Sequence, residues 1–154
     1  MKKLVLITGV SRGLGFAIAE HLHEIGYEVI GISRTIPKKN VCTHYACDLN
    51  NQDELVKTLN LINNNHNNIL FIINNAGLSL PQPFEEVTIE SLDEVINVNL
   101  KTSIIISQFF LKNMKTNNFG RIVNLSSVAI NGLSGRSSYS AVKSAVGLVL
   151  RIDT

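Results

Sequence analysis

Cysteine, proline and tryptophan are scarce in this sequence, with two cysteines, three prolines and no tryptophan among 154 residues. Cys42 and Cys47 stand close together in one segment and do not form a CxxC pair. Neither a disulfide framework nor a metal site built on cysteine is therefore expected. Free thiols of this kind are usual in a reducing compartment, which indicates a cytoplasmic protein.

An excess of charge of one sign is also lacking. Lysine and arginine number 14 and aspartate and glutamate 12, so the net charge is only +2. No basic run lies beside an aromatic platform, and a nucleic-acid partner is not expected. No apolar run approaches the roughly 20 residues of a membrane-spanning helix, so a membrane partner is not expected either.

The composition that remains is that of a folded globular chain. Hydrophobic residues make up 45% of the sequence and charged residues 17%, which excludes a disordered protein. The length predicts a single domain over residues 1–154.

Apolar runs alternate with segments of helical periodicity. The runs predict strands that are buried on both faces, at 3–8, 28–33, 43–49, 68–77 and 120–127. The periodic segments predict helices at 13–26, 51–65, 91–114 and 137–152, the third of which reads as one long helix or two run together. Asn50 or Asn51 would cap the second helix, and the asparagine-rich 63–68 reads as a solvated loop. The pattern predicts an α/β fold with a Rossmann-like, doubly wound parallel sheet.

The first predicted strand ends in the turn TGVSRGLG, which contains Gly9, Gly13 and Gly15. Glycines let a chain turn sharply out of a strand and bring its backbone close to a phosphate. The helix that follows would then point its first N–H groups at the anion. The position after the first strand predicts a dinucleotide site, although the spacing differs from GxGxxG.

The end of the second predicted strand indicates which dinucleotide is bound. An NAD site places a carboxylate there for the adenosine ribose hydroxyls, but this chain has Ser33 followed by Arg34. Arg34 and Arg12 of the glycine turn can instead pair with a 2′-phosphate. The sequence therefore favours NADP(H) over NAD(H).

Tyr139 and Lys143 are spaced to share one face of the last predicted helix. A free tyrosine titrates near pH 10, which is too high for a proton relay at neutral pH. An ammonium group close by favours the phenolate, so the pair suits a tyrosine that donates and accepts a proton.

Six short motifs connect these features to a known family. TGVSRGLG, CDL, NNAG, NVNL, SSVA and YSAVK occur in the order and approximate spacing of the short-chain dehydrogenases/reductases. The chain resembles this family from Thr8 to Lys143. Within it, the chain is most similar to the 3-oxoacyl-[acyl-carrier-protein] reductases and their sugar- or steroid-reducing relatives.

The resemblance implies a cofactor site along the carboxyl ends of the strands, on Thr8, Gly9, Ser11, Arg12, Gly13, Leu14, Gly15, Arg34, Asp48, Leu49, Asn75, Ala76, Gly77, Tyr139 and Lys143. In that site Asp48 would contact the adenine ring. Asn99 would hold a water that connects Lys143 to solvent. No metal is expected.

The resemblance also implies hydride transfer between NADPH and a small ketone or aldehyde, or the reverse oxidation of an alcohol. Tyr139 would be the acid–base group, Lys143 would tune it, and a serine would hold the carbonyl. Counting along the strand from Gly120 selects Ser127 for that serine, whereas counting back from Tyr139 selects Ser126. Strand register slips less readily than a loop, so Ser127 is preferred.

The chain ends eleven residues after Lys143, whereas the family members continue with a further strand, a substrate-covering loop and more helices. The resemblance therefore implies a sheet that is incomplete at its C-terminal edge, in a family whose full-length members commonly form homo-oligomers. We expect nucleotide binding, association through the uncovered edge and low turnover. The alternatives are a relative that binds nucleotide without catalysis and a non-enzymatic interaction protein that responds to NADP.

Overall fold

The structure is a computed structural model that describes residues 3–148. Five parallel strands form one sheet in the order β3-β2-β1-β4-β5. Their bounds are Leu4–Thr8 for β1, Glu28–Ser33 for β2, Thr43–Ala46 for β3, Phe71–Asn74 for β4 and Arg121–Asn124 for β5. The predicted strands are confirmed in place and order, but several are shorter than the apolar runs that indicated them.

Helices connect the strands. They are α1 Gly13–Glu24, α2 Gln52–Asn65, α3 Ile89–Ile96, α4 Thr102–Thr116 and α5 Ser137–Leu148. A π-helical turn, Asn97–Lys101, joins α3 to α4, so the long periodic segment holds two helices run together. Short 3₁₀ turns lie at Phe84–Glu86 and Val128–Asn131. Residues 149–152 of the last predicted helix lie outside the described residues.

Both faces of the sheet are covered, which confirms the doubly wound prediction. Val5 and Ile7 of β1 point to one face and pack in a cluster with Ala19 of α1. Leu6 points to the other face and packs in a cluster with Leu59 of α2 and Phe110 of α4. Successive side chains of a strand alternate between faces, so a strand with helices on both sides must be apolar throughout.

Local signals account for the ends of the first two helices. Gly26, at φ +91°, follows α1 in the left-handed conformation that ends many helices. The side chain of Asn51 accepts a hydrogen bond from the N–H of Glu54 at 3.1 Å, so Asn51 rather than Asn50 caps α2.

The solvated loop predicted over 63–68 is only partly correct. Helix α2 continues to Asn65, and the side chain of His66 is only 12% exposed. His66 Nε2 lies 3.0 Å from the hydroxyl of Tyr45 on β3. His66 lies in a polar segment, but its contact with Tyr45, which is distant in sequence, keeps its side chain largely buried.

The strand order reverses between β1 and β4, and this reversal positions the functional site. β1 runs beside β2 on one side and beside β4 on the other, and their connections leave the sheet in opposite directions. A crevice therefore opens at the carboxyl ends of these strands, where ligands of such sheets bind. Within residues 3–148 no helix has the length and apolar character needed to cross a membrane.

Candidate active site

A single cleft of about 860 Å³ runs along the carboxyl ends of the strands. Its volume lies in the range of small-molecule and cofactor sites. At one end it is lined by the glycine turn and the segment after β2, and at the other by α5. The lining residues predicted from the sequence are Gly9, Ser11, Arg12, Leu14, Gly15, Arg34, Asp48, Leu49, Asn75, Ala76, Gly77, Tyr139 and Lys143.

Four predicted site residues do not line the cleft: Thr8, Gly13, Asn99 and Ser127. Twelve lining residues were not predicted: Ser33, Thr35, Ile36, Lys38, Cys47, Asn50, Leu78, Ser79, Glu94, Val98, Leu125 and Ser126 as a lining residue. Most of these directly adjoin a predicted residue in sequence, which is the signal that could have found them. Ile36, Lys38, Ser79, Glu94 and Leu125 have no such neighbour.

The glycine turn is shaped by close contacts between backbones. Gly9 has φ +76° and donates its N–H to the carbonyl of Ile32 at 2.7 Å. A Cβ on Gly15 would collide with the carbonyl oxygen of Gly9 and the side-chain amide of Asn75. Glycine is therefore required at Gly15 by space, and at Gly9 by backbone conformation as well.

Thr8 and Asn75 join the glycine turn to the end of β4. The hydroxyl of Thr8 accepts hydrogen bonds from the N–H groups of Asn75 at 3.1 Å and Ala76 at 3.0 Å. The Asn75 side chain donates to the carbonyl of Thr8 at 2.9 Å. Thr8 is 1% exposed and lies behind the cleft, where it positions the residues that face the ligand.

The N-terminus of α1 is free to bind an anion. No side chain caps its first N–H groups, and its first turn contains no acidic residue. Uncapped N–H groups at a helix N-terminus attract phosphate. Arg12 is the N-cap residue of α1, and it also lines the cleft.

The segment after β2 carries positive charge and no carboxylate. Ser33 donates its hydroxyl to the carbonyl of Thr35 at 2.8 Å, and His44 Nε2 lies 3.1 Å from the carbonyl oxygen of Ser33. These bonds fix the start of the segment and place Arg34 at the rim of the cleft. The two ion pairs formed within residues 3–148, Lys39–Glu20 and His66–Glu28, leave Arg12 and Arg34 without a carboxylate partner there.

Asp48 stands at the carboxyl end of β3, half-buried in the cleft wall. Its Oδ1 accepts the N–H of Asn50 at 3.0 Å. Cys47 beside it is 1% exposed, and burial raises the pKa of its thiol. Because a neutral thiol is a poor nucleophile, thiolate chemistry is not expected here.

Asn99 lies in the π-helical turn and is 3% exposed. Its side-chain amide donates to the carbonyls of Leu78 and Val95, both at 2.8 Å, and its Oδ1 accepts the N–H of Leu78 at 3.3 Å. A Cβ on Gly77 would lie 3.1 Å from Asn99 Oδ1 and 3.6 Å from Lys143 Nζ. Asn99 and Lys143 therefore approach each other across Gly77, and the second lone pair of Oδ1 is left for another donor.

Lys143 is a buried ammonium group at the α5 end of the cleft. It is 3% exposed, and its Nζ donates to the carbonyl of Leu125 at 2.7 Å. Nζ lies 5.9 Å from the centre of the Tyr139 ring. Burial lowers the pKa of the Lys143 ammonium. Tyr139 and Lys143 lie on one face of α5, as their spacing predicts.

The two candidate serines lie in different surroundings. Ser126 lines the cleft and donates its hydroxyl to the carbonyl of Lys143 at 3.0 Å. Ser127, the preferred residue, does not line the cleft, because it begins the 3₁₀ turn after β5 and accepts the N–H of Ala129 at 3.2 Å. The structure therefore brings Ser126, and not Ser127, into the cleft wall beside Tyr139 and Lys143.

The doubly wound parallel sheet, with its glycine turn after β1, is a Rossmann-like fold. The model of the short chain dehydrogenase family matches residues 3–151. The chain belongs to that family.

Curated relatives carry reductase and dehydrogenase names. The chain is 32% identical to a 3-oxoacyl-[acyl-carrier-protein] reductase from Buchnera aphidicola, with 96% of this chain and 64% of the relative covered. It is 31% identical to a probable NADP-dependent dehydrogenase from Haemophilus influenzae, with the same two coverages. The chain thus spans a little under two thirds of the length of these relatives.

Two solved structures superpose closely on the fold of this chain. A metagenomic short-chain oxidoreductase in complex with NADP superposes with a TM-score of 0.89 at 26% identity, over 96% of this chain and 72% of the other. A 4-hydroxyisoleucine dehydrogenase complexed with NADH gives 0.89 at 25% identity, over 96% and 66%.

The buried ammonium of Lys143 makes stability depend on pH. Because burial lowers its pKa in the folded chain, the unfolded chain binds more protons at pH values between the lowered pKa and 10.5. The free energy of unfolding should therefore rise with pH across that window, relative to Lys143→Met. Denaturant unfolding at about pH 7 and about pH 10 measures this difference.

Lys112→Met, on the exposed side of α4, is the matched control and should show no such pH-dependent difference from the parent. Parallel pH curves for the parent and Lys143→Met would show that the ammonium is not penalised by burial.

Proposed function

We propose that this chain carries the cofactor and proton-transfer site of an NADPH-dependent oxidoreductase that reduces a ketone or aldehyde to an alcohol, or runs the reverse reaction. One observation supports this above all. A continuous cleft is lined at one end by the glycine turn and by Arg12 and Arg34, which have no carboxylate partner within residues 3–148, and at the other end by Tyr139 and Lys143. A dinucleotide that spans the cleft would place its reactive ring beside the tyrosine.

The residues present fit a dinucleotide. A Cβ on Gly15 would collide with the carbonyl of Gly9, and a Cβ on Gly77 would crowd the side chain of Asn99, so these glycines keep the cleft wall free of side chains. The first N–H groups of α1 are uncapped. Arg12 and Arg34 would pair with the 2′-phosphate of NADP, and Asp48 would contact the adenine. When bound, NADPH supplies the hydride.

Tyr139 is proposed to give a proton to the carbonyl oxygen as negative charge develops there. Lys143 would hold the phenol in place and favour its ionised form, since one N–H is bonded to Leu125 and two remain. Asn99 would accept a water through its free lone pair and connect the ammonium to solvent.

A serine hydroxyl must donate to the substrate carbonyl. Ser126 commits its proton to the carbonyl of Lys143. Ser127 only accepts a hydrogen bond in the contact it makes with Ala129, and so keeps its proton for a ligand. This difference supports Ser127 as the carbonyl donor, with Ser126 as the alternative that lines the cleft.

The names of relatives support the reaction class, but relatives and solved neighbours together do not distinguish NADP from NAD. The choice between these cofactors depends on the charged residues of the cleft. One relative is called a 3-oxoacyl-[acyl-carrier-protein] reductase and another a probable NADP-dependent dehydrogenase. One solved neighbour holds NADP and another NADH. For this chain the absence of a carboxylate at the end of β2 favours NADPH.

The direct test is a titration with NADPH beside an assay of NADPH oxidation with a panel of small ketones and aldehydes. Binding with carbonyl-dependent oxidation would support the proposal. Binding without turnover would favour a chain that binds nucleotide only, and no binding would reject the site itself.

The cofactor preference depends on Arg34. NADPH should bind about tenfold more tightly than NADH, because a charge-assisted bond to phosphate contributes about 1.5–3 kcal/mol. Arg34→Ala should remove most of that preference in a fluorescence titration and leave NADH binding nearly unchanged. Arg121→Ala, at the opposite end of the sheet, is the matched control. Equal affinities in the parent would contradict the assignment to NADP.

Tyr139→Phe keeps the aromatic ring and removes the proton donor. Carbonyl reduction should fall about 10²–10⁴-fold, since general acid catalysis contributes that much. NADPH affinity should change little. Tyr27→Phe, at the start of β2 and away from the cleft, should leave both measurements unchanged. Reduction at the parental rate in Tyr139→Phe would refute the mechanism.

The same assay separates the two serines. Ser127→Ala should lower kcat/KM for carbonyl reduction by about 10²-fold, in line with the loss of one transition-state hydrogen-bond donor. Ser126→Ala should keep most activity, because its hydroxyl bonds the backbone. The reverse result would assign the carbonyl bond to Ser126.

A further inference from the structure

The loop from Arg34 to Val41 crosses from β2 toward β3 at the adenosine end of the cleft. It is anchored at both ends, by the Ser33–Thr35 hydrogen bond and by Val41, which is 5% exposed and packs in the cluster around α1. Pro37 in the middle is buried as well. The backbone between these anchors is therefore held in place, while the side chains of Arg34, Lys38 and Lys39 are exposed.

Two neighbouring lysines of this loop have different surroundings. Lys39 Nζ lies 2.6 Å from the Glu20 carboxylate on α1, which raises the pKa of Lys39. Lys38 lines the cleft together with Arg12 and Arg34. The Lys39–Glu20 contact thus joins the loop to α1. The adjacent residue, Lys38, adds a positive charge to the cleft wall.

The charge that the segment after β2 contributes to the cleft is of one sign, whereas Asp48, which follows β3, is an acidic lining residue. The lining residues of the segment after β2 are Ser33, Arg34, Thr35, Ile36 and Lys38, and none is acidic. Neither ion pair formed within residues 3–148 includes Lys38. Cations that line the same part of a cleft repel each other, and an anion bound among them would relieve that repulsion.

We propose that Lys38 is a specificity-determining residue, the third cation of a site for a phosphate on the adenosine ribose, and that Lys39 positions it by pairing with Glu20. This inference rests on the proposed function and adds residues that neither the glycine turn nor the end of β2 contains. An ammonium group attracts phosphate as a point charge, so Lys38 acts through charge more than through fixed geometry.

The test uses 2′,5′-ADP and 5′-AMP, which differ by the 2′-phosphate and do not reach the catalytic end. Calorimetric titration at low salt should show that Lys38→Ala weakens 2′,5′-ADP binding about fivefold, near the upper end for an exposed charge pair. Binding of 5′-AMP should not change. Lys38→Arg should restore binding, and added salt should narrow the difference between Lys38→Ala and the parent.

Lys112→Ala, on the exposed side of α4, is the matched control, because it removes the same charge from a position outside the cleft. It should weaken 2′,5′-ADP binding by less than Lys38→Ala does. Equal losses in the two variants would show a general field effect and overturn the role of Lys38. A parent that prefers 2′,5′-ADP, with no loss in Lys38→Ala, would overturn this inference alone. A parent without that preference would overturn the NADP assignment too.

Discussion

The site depends on the contact between the glycine turn and the end of β4. Thr8, Gly9 and Gly15 meet Asn75 so closely that a Cβ at Gly15 would have no space. This contact sets where α1 begins relative to the sheet, and therefore where its free N–H groups point. A phosphate site formed by backbone N–H groups has no side chain that can adjust to the anion. The positions of those N–H groups therefore depend on how the turn packs against the end of β4.

At the α5 end of the cleft, a charged group is buried although burial disfavours its charged form. The ammonium of Lys143 is 3% exposed and has one bond to the carbonyl of Leu125. Removing a charge from water costs free energy that a hydrogen bond to a neutral carbonyl offsets only in part. Such a group is usual at functional sites, where its field acts on a neighbour such as Tyr139.

Much of the fold and the shape of the glycine turn could be predicted because their signals are local. Apolar runs, helical periodicity and glycines at a strand end each reflect the needs of neighbouring residues. Predictions failed where the position of a side chain depends on a contact with a residue that is distant in sequence. His66 lies in a polar stretch, yet the hydroxyl of Tyr45 holds it inward. Lys38 and Lys39 look alike in sequence, and only the position of Glu20 on α1 separates them.

The sequence by itself determined the parallel sheet, the turn that would bind phosphate and the pairing of Tyr139 with Lys143, because periodicity and i,i+4 spacing are properties of a single segment. Only the tertiary structure decided which serine hydroxyl is engaged by the backbone and which loop lysine faces the cleft. Both depend on groups brought together from separate elements, the carbonyl of Lys143 on α5 and the carboxylate on α1. Spacing along the chain carries no information on such contacts, because packing of the helices against the sheet creates them.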